Sequence, residues 1–149
     1  MEFKTEAQKA CYEKVVPWLQ EIFGEHFTRV REDAPVIGIV IGSALAQVAV
    51  YPWGENDAII NTRAYVVSGA DITPDLMSYL LKENAQKYFG AFGIEEGDYI
   101  VYEHGIVGSR CDKEELKASV MAVALTADDY DDKIIARWGG QTALERMQG

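Results

Sequence analysis

Leu80-Leu81-Lys82-Glu83-Asn84-Ala85-Gln86-Lys87-Tyr88-Phe89-Gly90-Ala91-Phe92-Gly93-Ile94 is the stretch whose reading decides the fold, because a helical pattern gives way within it to a strand pattern. Upstream, Thr73-Pro74-Asp75 supplies a capping hydroxyl, a proline at the first helical position and an acid in the first turn. Leu76, Met77, Leu80, Leu81, Ala85 and Tyr88 are the expected buried stripe of that helix. Downstream, Gly90 to Ile94 and Tyr99 to Val107 read as a hairpin joined by Glu95-Glu96-Gly97-Asp98. Asp112 and Glu115 then resemble a capping box in its Asp form. Leu116, Val120, Val123, Ala127, Tyr130, Ile134 and Trp138 recur at alternating steps of four and three, which predicts one helix of about 25 residues. Trp138 is an aromatic anchor ahead of the stop Gly139-Gly140.

Toward the amino terminus, Ala7, Cys11, Val15, Trp18, Ile22 and Phe23 form a helical stripe between Thr5 and Gly24. Pro17 is expected to kink or split that helix, since it lacks an amide proton. Glu25 to Pro35 reads as a polar connector. Gly42-Ser43 fits a two-residue hairpin turn, setting Ile41 opposite Ala44, Ile39 opposite Ala46 and Ile37 opposite Val48. Around Gly54-Glu55-Asn56-Asp57, a register pairing Trp53 with Ile59 keeps Ile60, Ala64 and Val66 on the same face as Val48 and Val50. The opposite face then carries Gln47, Tyr51, Trp53, Asn61, Arg63 and Tyr65. Pro52 is tolerated because the first strand of the meander should end near Pro35, leaving its neighbour without a ladder partner there. The order α-β-β-β-α-β-β-α predicts an α+β fold, one domain over residues 1–149 with its core from about 5 to 140. Its antiparallel sheet would be packed by the terminal helices.

A chain of 149 residues with 48% hydrophobic content is sized for one core. It holds no run of the ~18 apolar residues that a membrane helix needs, and Met1-Glu2-Phe3-Lys4-Thr5 has no signal-peptide pattern, so a cytoplasmic protein without a membrane partner is expected. Cys11 and Cys111 stand far apart in the sequence and are read as reduced core residues. The formal charge is −10, divided as −3 over residues 1–70 and −7 over 71–149. Such a field repels phosphate backbones, and nucleic acid is not expected as a partner.

Residues that often carry chemistry have plainer readings here. Ser43 lies in a hairpin turn and lacks the final glycine of a nucleophile elbow. Gly90, Gly93 and Gly97 are followed by no Lys-Ser or Lys-Thr, so they make no phosphate loop. Asp128, Asp129, Asp131 and Asp132 are spaced to meet a hard cation on a helix, but without the calcium-loop glycine they read as a solvated face. His26 and His104 have no ligand-like spacing with either cysteine. Asn84, near a helix end, is expected to satisfy local backbone groups. No catalytic residue, metal site or cofactor is expected.

With Leu81-Lys82-Glu83-Asn84, Phe89-Gly90-Ala91-Phe92 and Ala127-Asp128-Asp129-Tyr130-Asp131-Asp132 in this order and spacing, the chain from Thr5 to Gly140 resembles the YbjN superfamily, whose members share the fold of type III secretion chaperones. The resemblance implies an acidic, non-enzymatic homodimer that holds partly unfolded peptide segments of a client protein. The residues themselves offer Tyr51, Trp53, Arg63 and Tyr65 as a peptide-binding surface, because rigid aromatics with polar tips suit a wet interface. A free sheet edge offers a second mode, strand addition. The alternatives are an aromatic face simply covered by the second helix or a dimer partner, and a small-molecule-sensing regulatory domain.

Overall fold

The computed structural model describes residues 1–148. Helix α1 (Glu6–Phe23) leads into strands β1 (Thr28–Val30), β2 (Val36–Ile41), β3 (Ala44–Trp53) and β4 (Asp57–Val67). Helix α2 (Pro74–Asn84), strands β5 (Ala91–Glu95) and β6 (Tyr99–Val107), the long helix α3 (Lys113–Trp138) and the short α4 (Ala143–Gln148) follow. The six strands form one antiparallel sheet in the order β1-β2-β3-β4-β6-β5. The α+β fold and the order of its main elements are those expected, with β1 and α4 added.

Each main helix starts on a side-chain cap. Thr5, Thr73 and Asp112 accept from the backbone N–H groups of Gln8, Leu76 and Glu115, at 3.0, 3.1 and 2.7 Å. All three pack on the same face of the sheet, through two contiguous cores that α3 spans. Under α1 and the first half of α3 lie Val15, Leu19, Ile37, Ile39, Val48, Val50, Ile60, Leu116 and Val120. Under α2 and the second half of α3 lie Ala64, Val66, Leu76, Leu80, Phe92, Ile100, Tyr102, Val123, Ala127, Tyr130 and Ile134. The second helix therefore leaves the opposite face of the sheet uncovered.

Several details correct the sequence reading. The first hairpin pairs Ile41 with Ala44, Ile39 with Ala46 and Ile37 with Val48, as expected. The second is two residues tighter, with Trp53 opposite Asp57 and Tyr51 opposite Ile59. A shift of two preserves which side chains share a face. Its cause is tertiary: the Asp57 carboxylate accepts from the Ala58 and Ser109 amides at 2.8 and 3.0 Å and from Ser109 Oγ at 2.7 Å, fixing Asp57 at the strand end. Pro52 has no strand beyond it on the β2 side, since β2 begins at Val36. Within the supposed connector, Thr28–Val30 pairs with Ile37–Ile39; three residues are too few to show a period.

Helix α1 runs unbroken through Pro17, which is exposed, so the carbonyl its missing amide would have served lies on the solvent side. Helix α2 ends at Asn84, and of its expected stripe only Leu76 and Leu80 are buried. Leu81 is 69% exposed and Tyr88, beyond the helix end, is 98% exposed; Met77 and Ala85 are also exposed. An edge helix has only one row of side chains in reach of the core.

The chain crosses from the helix layer to the open face at Gly139-Gly140. Gly140 has φ of +100°, and a Cβ there would come within 2.6 Å of the Ser68 carbonyl oxygen and 2.7 Å of Val67 Cγ1. Ser68 and Gln141 then exchange two backbone hydrogen bonds of 3.0 and 2.9 Å, and α4 begins on the far side of the sheet.

Candidate functional site on the open face and edges of the sheet

Alternation along β3 and β4 sends Tyr51, Trp53, Arg63 and Tyr65 to the open face, as expected. Tyr51 and Trp53 are 53% and 55% exposed, while Arg63 and Tyr65 are half-buried. They do not form one cluster. Arg63 is opposite Gln47, which lies four residue steps along β3 from Tyr51, about 13 Å of strand.

The Arg63–Tyr65 end is built into a polar network. Arg63 donates from Nε to Glu103 Oε2 at 2.8 Å and from a terminal nitrogen to Glu95 Oε2 at 3.2 Å. The Tyr65 hydroxyl donates to Glu95 Oε1 at 3.3 Å, and its ring meets Tyr99 edge-on at 5.8 Å. Burial works against the Arg63 charge, but the hydrogen bond and charges of Glu103 and Glu95 outweigh it and leave its pKa raised. Burial and the neighbouring Glu95 charge raise that of the Tyr65 phenol. Sequence reasoning missed Glu95, Tyr99 and Glu103. The pairing of Ala91 with Glu103 and Glu95 with Tyr99 aligns them, so registering this hairpin from its turn was the signal available. The Tyr51–Trp53 end carries no such network and presents apolar rings to solvent.

The two strands at the β5 side have different edges. Strand β5 pairs with β6 only as far as Ala91 with Glu103, so no strand among the described residues borders Gly105 and Val107 on that side. Beside this free edge runs a groove of about 630 Å³ lined by Phe89, His104, Ile106 and Ala118 among others, with Arg110, Asp112, Glu114 and Glu115 as its charged residues. His104 Nδ1 lies 2.7 Å from Ser119 Oγ, and burial lowers the histidine pKa. The outer edge of β5, in contrast, is occupied by Asn84. Its Oδ1 accepts from the Phe92 amide at 2.6 Å and its Nδ2 donates to the Phe92 carbonyl at 3.2 Å, the two bonds a neighbouring strand residue would make. This is the backbone-satisfying role expected for Asn84.

The acidic run on α3 is not uniformly solvated. Asp131 is buried, and with Asp128 it clamps the β2–β3 turn: the Ser43 amide donates to Asp128 Oδ1 at 2.8 Å, and Ser43 Oγ contacts both Asp128 and Asp131, the latter at 2.6 Å. Burial raises the Asp131 pKa, whereas the Ser43 hydroxyl and amide lower that of Asp128. Asp129 pairs with Lys133 at 3.2 Å. Cys11 and Cys111, distant in sequence, lie in the same core, and burial pushes the Cys111 thiol up to about 11. Both are therefore packing residues rather than thiolate nucleophiles. No helix among the described residues is long and apolar enough to cross a membrane.

Comparison with curated proteins returns no match. A protein-family model described as T3SS (YopN, CesT) and YbjN peptide-binding chaperone 1, TY-Chap1, matches residues 10–146. That span takes in most of α1, the whole sheet, α2, α3 and most of α4, and the chain belongs to the TY-Chap1 family of peptide-binding chaperones.

Proposed function

We propose that this protein holds extended, partly apolar segments of a client protein without catalysing a covalent step, using Tyr51, Trp53, Arg63 and Tyr65 on the open sheet face and the free edge of β6. The observation that carries this reading is the exposure of Tyr51 and Trp53 on a sheet face that all three long helices leave bare. Aromatic rings there remove apolar client surface from water at about 25 cal/mol per Å². Main-chain bonds to Gly105 and Val107 recognise extended backbone whatever its side chains, which matches a holder of varied segments. With three acids against Arg110 beside that edge, the groove favours segments that carry lysine or arginine.

Homodimerisation in the cytoplasm belongs to the same reading. Met77, Leu81 and Ile94 form an exposed apolar patch along α2 and β5, and Asn84 blocks strand pairing at Phe92, so two copies would meet through side chains. Sedimentation of wild type beside Leu81→Lys tests this, a dimer in the first and a monomer in the second being expected.

The function itself is tested by fluorescence anisotropy with a labelled peptide of alternating valine and lysine, together with suppression of aggregation of a chemically unfolded protein. Binding weakened roughly tenfold in Trp53→Ala/Tyr65→Ala, with the fold intact, is the expected result. Equal binding by the variant removes the aromatic face from the proposal. A thermal shift by a metabolite with no peptide binding favours the sensing alternative.

A further inference from the structure

Helix α4 is the one helix of the described residues that lies on the open face. It sets Ala143, Arg146 and Met147 over Leu45, Tyr65, Val67 and Tyr99, with the Arg146 guanidinium 4.3 Å from the centre of the Tyr99 ring. Arg146 also lines this cleft together with Glu95. We infer that this end of the face is a receptor site for a short amphipathic helix carrying an arginine, and that α4 is its resident, displaceable occupant. The inference rests on the peptide-holding reading and adds a second client class, helical and basic, beside the extended one.

Three observations support it. First, α4 has six residues, and a helix far shorter than about 12–15 residues does not persist alone in water, so its helicity depends on docking. Second, it is held lightly. The isolated Ser68–Gln141 bridge precedes it, and a capping box closes its first turn, with Thr142 N donating to Glu145 Oε2 at 2.9 Å and Glu145 N to Thr142 Oγ1 at 3.1 Å. Gly140 and Gln141 are fixed against Ser68, so only the segment beyond the bridge has to leave, and α3 is not disturbed when it does. Third, the fit is incomplete. A cleft of about 430 Å³ remains between α4 and the sheet, lined in part by Ser68, whose hydroxyl is buried without a hydrogen-bond partner among the described residues. Methionine at position 147 is mostly exposed although the cleft is apolar beneath it. A longer client helix with the same arginine would fill what α4 leaves open. The Tyr99 ring supplies the flat cation-stacking surface that selects the arginine.

The test uses the full chain. Arg146→Glu/Met147→Ser loses the stacking on Tyr99 and the apolar cover of the cleft, which releases α4 while leaving both cores untouched. A peptide with the sequence of residues 139–148 is then added in trans and followed by amide chemical shifts. In the variant, the signals of Leu45 and Tyr99 should move away from their wild-type positions and return toward them as peptide is added. Wild type, its site already occupied, should respond about tenfold more weakly. Variant signals that do not move with a large excess of peptide, or a wild type that responds equally, overturn the assignment. A measurement without any variant is amide exchange: Ala143 to Arg146 should exchange far faster than Val120 to Ala127, because α4 opens locally. Equal protection means that α4 is a fixed part of the fold and likewise overturns it. Failure of the wider reading looks different, since it shows as loss of valine–lysine peptide binding while the residue 139–148 peptide still rebinds the variant.

Discussion

On the side of β3 and β4 that meets α1 and α3, Val48, Val50, Ile60 and Ala64 are 0% exposed, whereas on the other side of the same strands Tyr51 is 53% exposed and Arg63 and Tyr65 sit in a half-wet polar network. Strand alternation produces both faces from one stretch of chain, so position along the sequence says little about role and parity says much. The covered face is tied to stability because its side chains have no other place to go. The open face is free to serve binding because the fold does not need what it carries. Only α4 crosses this division, and it does so on six residues and a glycine pair.

The sharpest way to break the comparison is to truncate neighbours on opposite faces. Ile60→Ala, in the covered face, should cost about 2–5 kcal/mol of unfolding free energy, whereas Ile59→Ala beside it should cost under about 1 kcal/mol. Urea unfolding measures both, and equal losses would show that the open face is packed after all.

Next in size is the edge. Asn84→Ala leaves the Phe92 amide and carbonyl without partners and should cost about 1–3 kcal/mol, with concentration-dependent self-association as the β5 edge opens. Thermal unfolding and light scattering over a concentration series read the two effects. A destabilised variant that stays at its wild-type assembly state at all concentrations would limit Asn84 to a local cap.

The carboxyl pair on α3 sharpens the comparison through pH. Hydrogen bonds from Ser43 hold the Asp128 pKa below 3.8, so the stability it supplies is present above that value and is lost as the pH falls through its folded-state pKa. Asp128→Asn should therefore cost about 1–2 kcal/mol near neutrality and little in strong acid. Burial raises Asp131 above 3.8, so its contribution is complete below that value and declines as the pH rises through its folded-state pKa. Asp131→Asn should accordingly be neutral or stabilising near neutrality, with the gain vanishing in acid. Two equally damaging substitutions at neutral pH would rule out the opposite roles of the two carboxyls.

The smallest expected effect on stability is at the binding face, where Tyr51→Ala and Trp53→Ala should each change it by no more than about 0.5 kcal/mol while peptide affinity falls. Stability and binding measured on the same samples separate the two roles. A large loss of stability would place these rings in the core's service.

Much of the fold was legible because local rules and burial agreed. Thr73-Pro74-Asp75, Asp112 with Glu115, the long stripe from Leu116 to Trp138 and the Gly42-Ser43 turn each carried a physical signal that the structure uses. The errors fall where a neighbour outside the local window decides. Asp57 pulled the second hairpin tighter through Ser109, β1 formed because β2 was there to pair with it, and Leu81 stayed exposed because α2 lies at the edge. Of the site, the four open-face residues were legible from parity. Glu95, Tyr99, Glu103 and α4 were not, because a contact between residues 63 and 103 or 99 and 146 leaves no trace in either local pattern.

By itself, the sequence determined the element types, the two faces of the central strands and the acidic, apolar-cored character of the chain, since those depend on periodicity, capping and composition within a few residues. Only the tertiary structure decided which edge stayed open, which acids became buried and what settled on the open face. Those outcomes depend on distances between segments far apart in the chain, and long-range packing fixes such distances only once the whole core has closed.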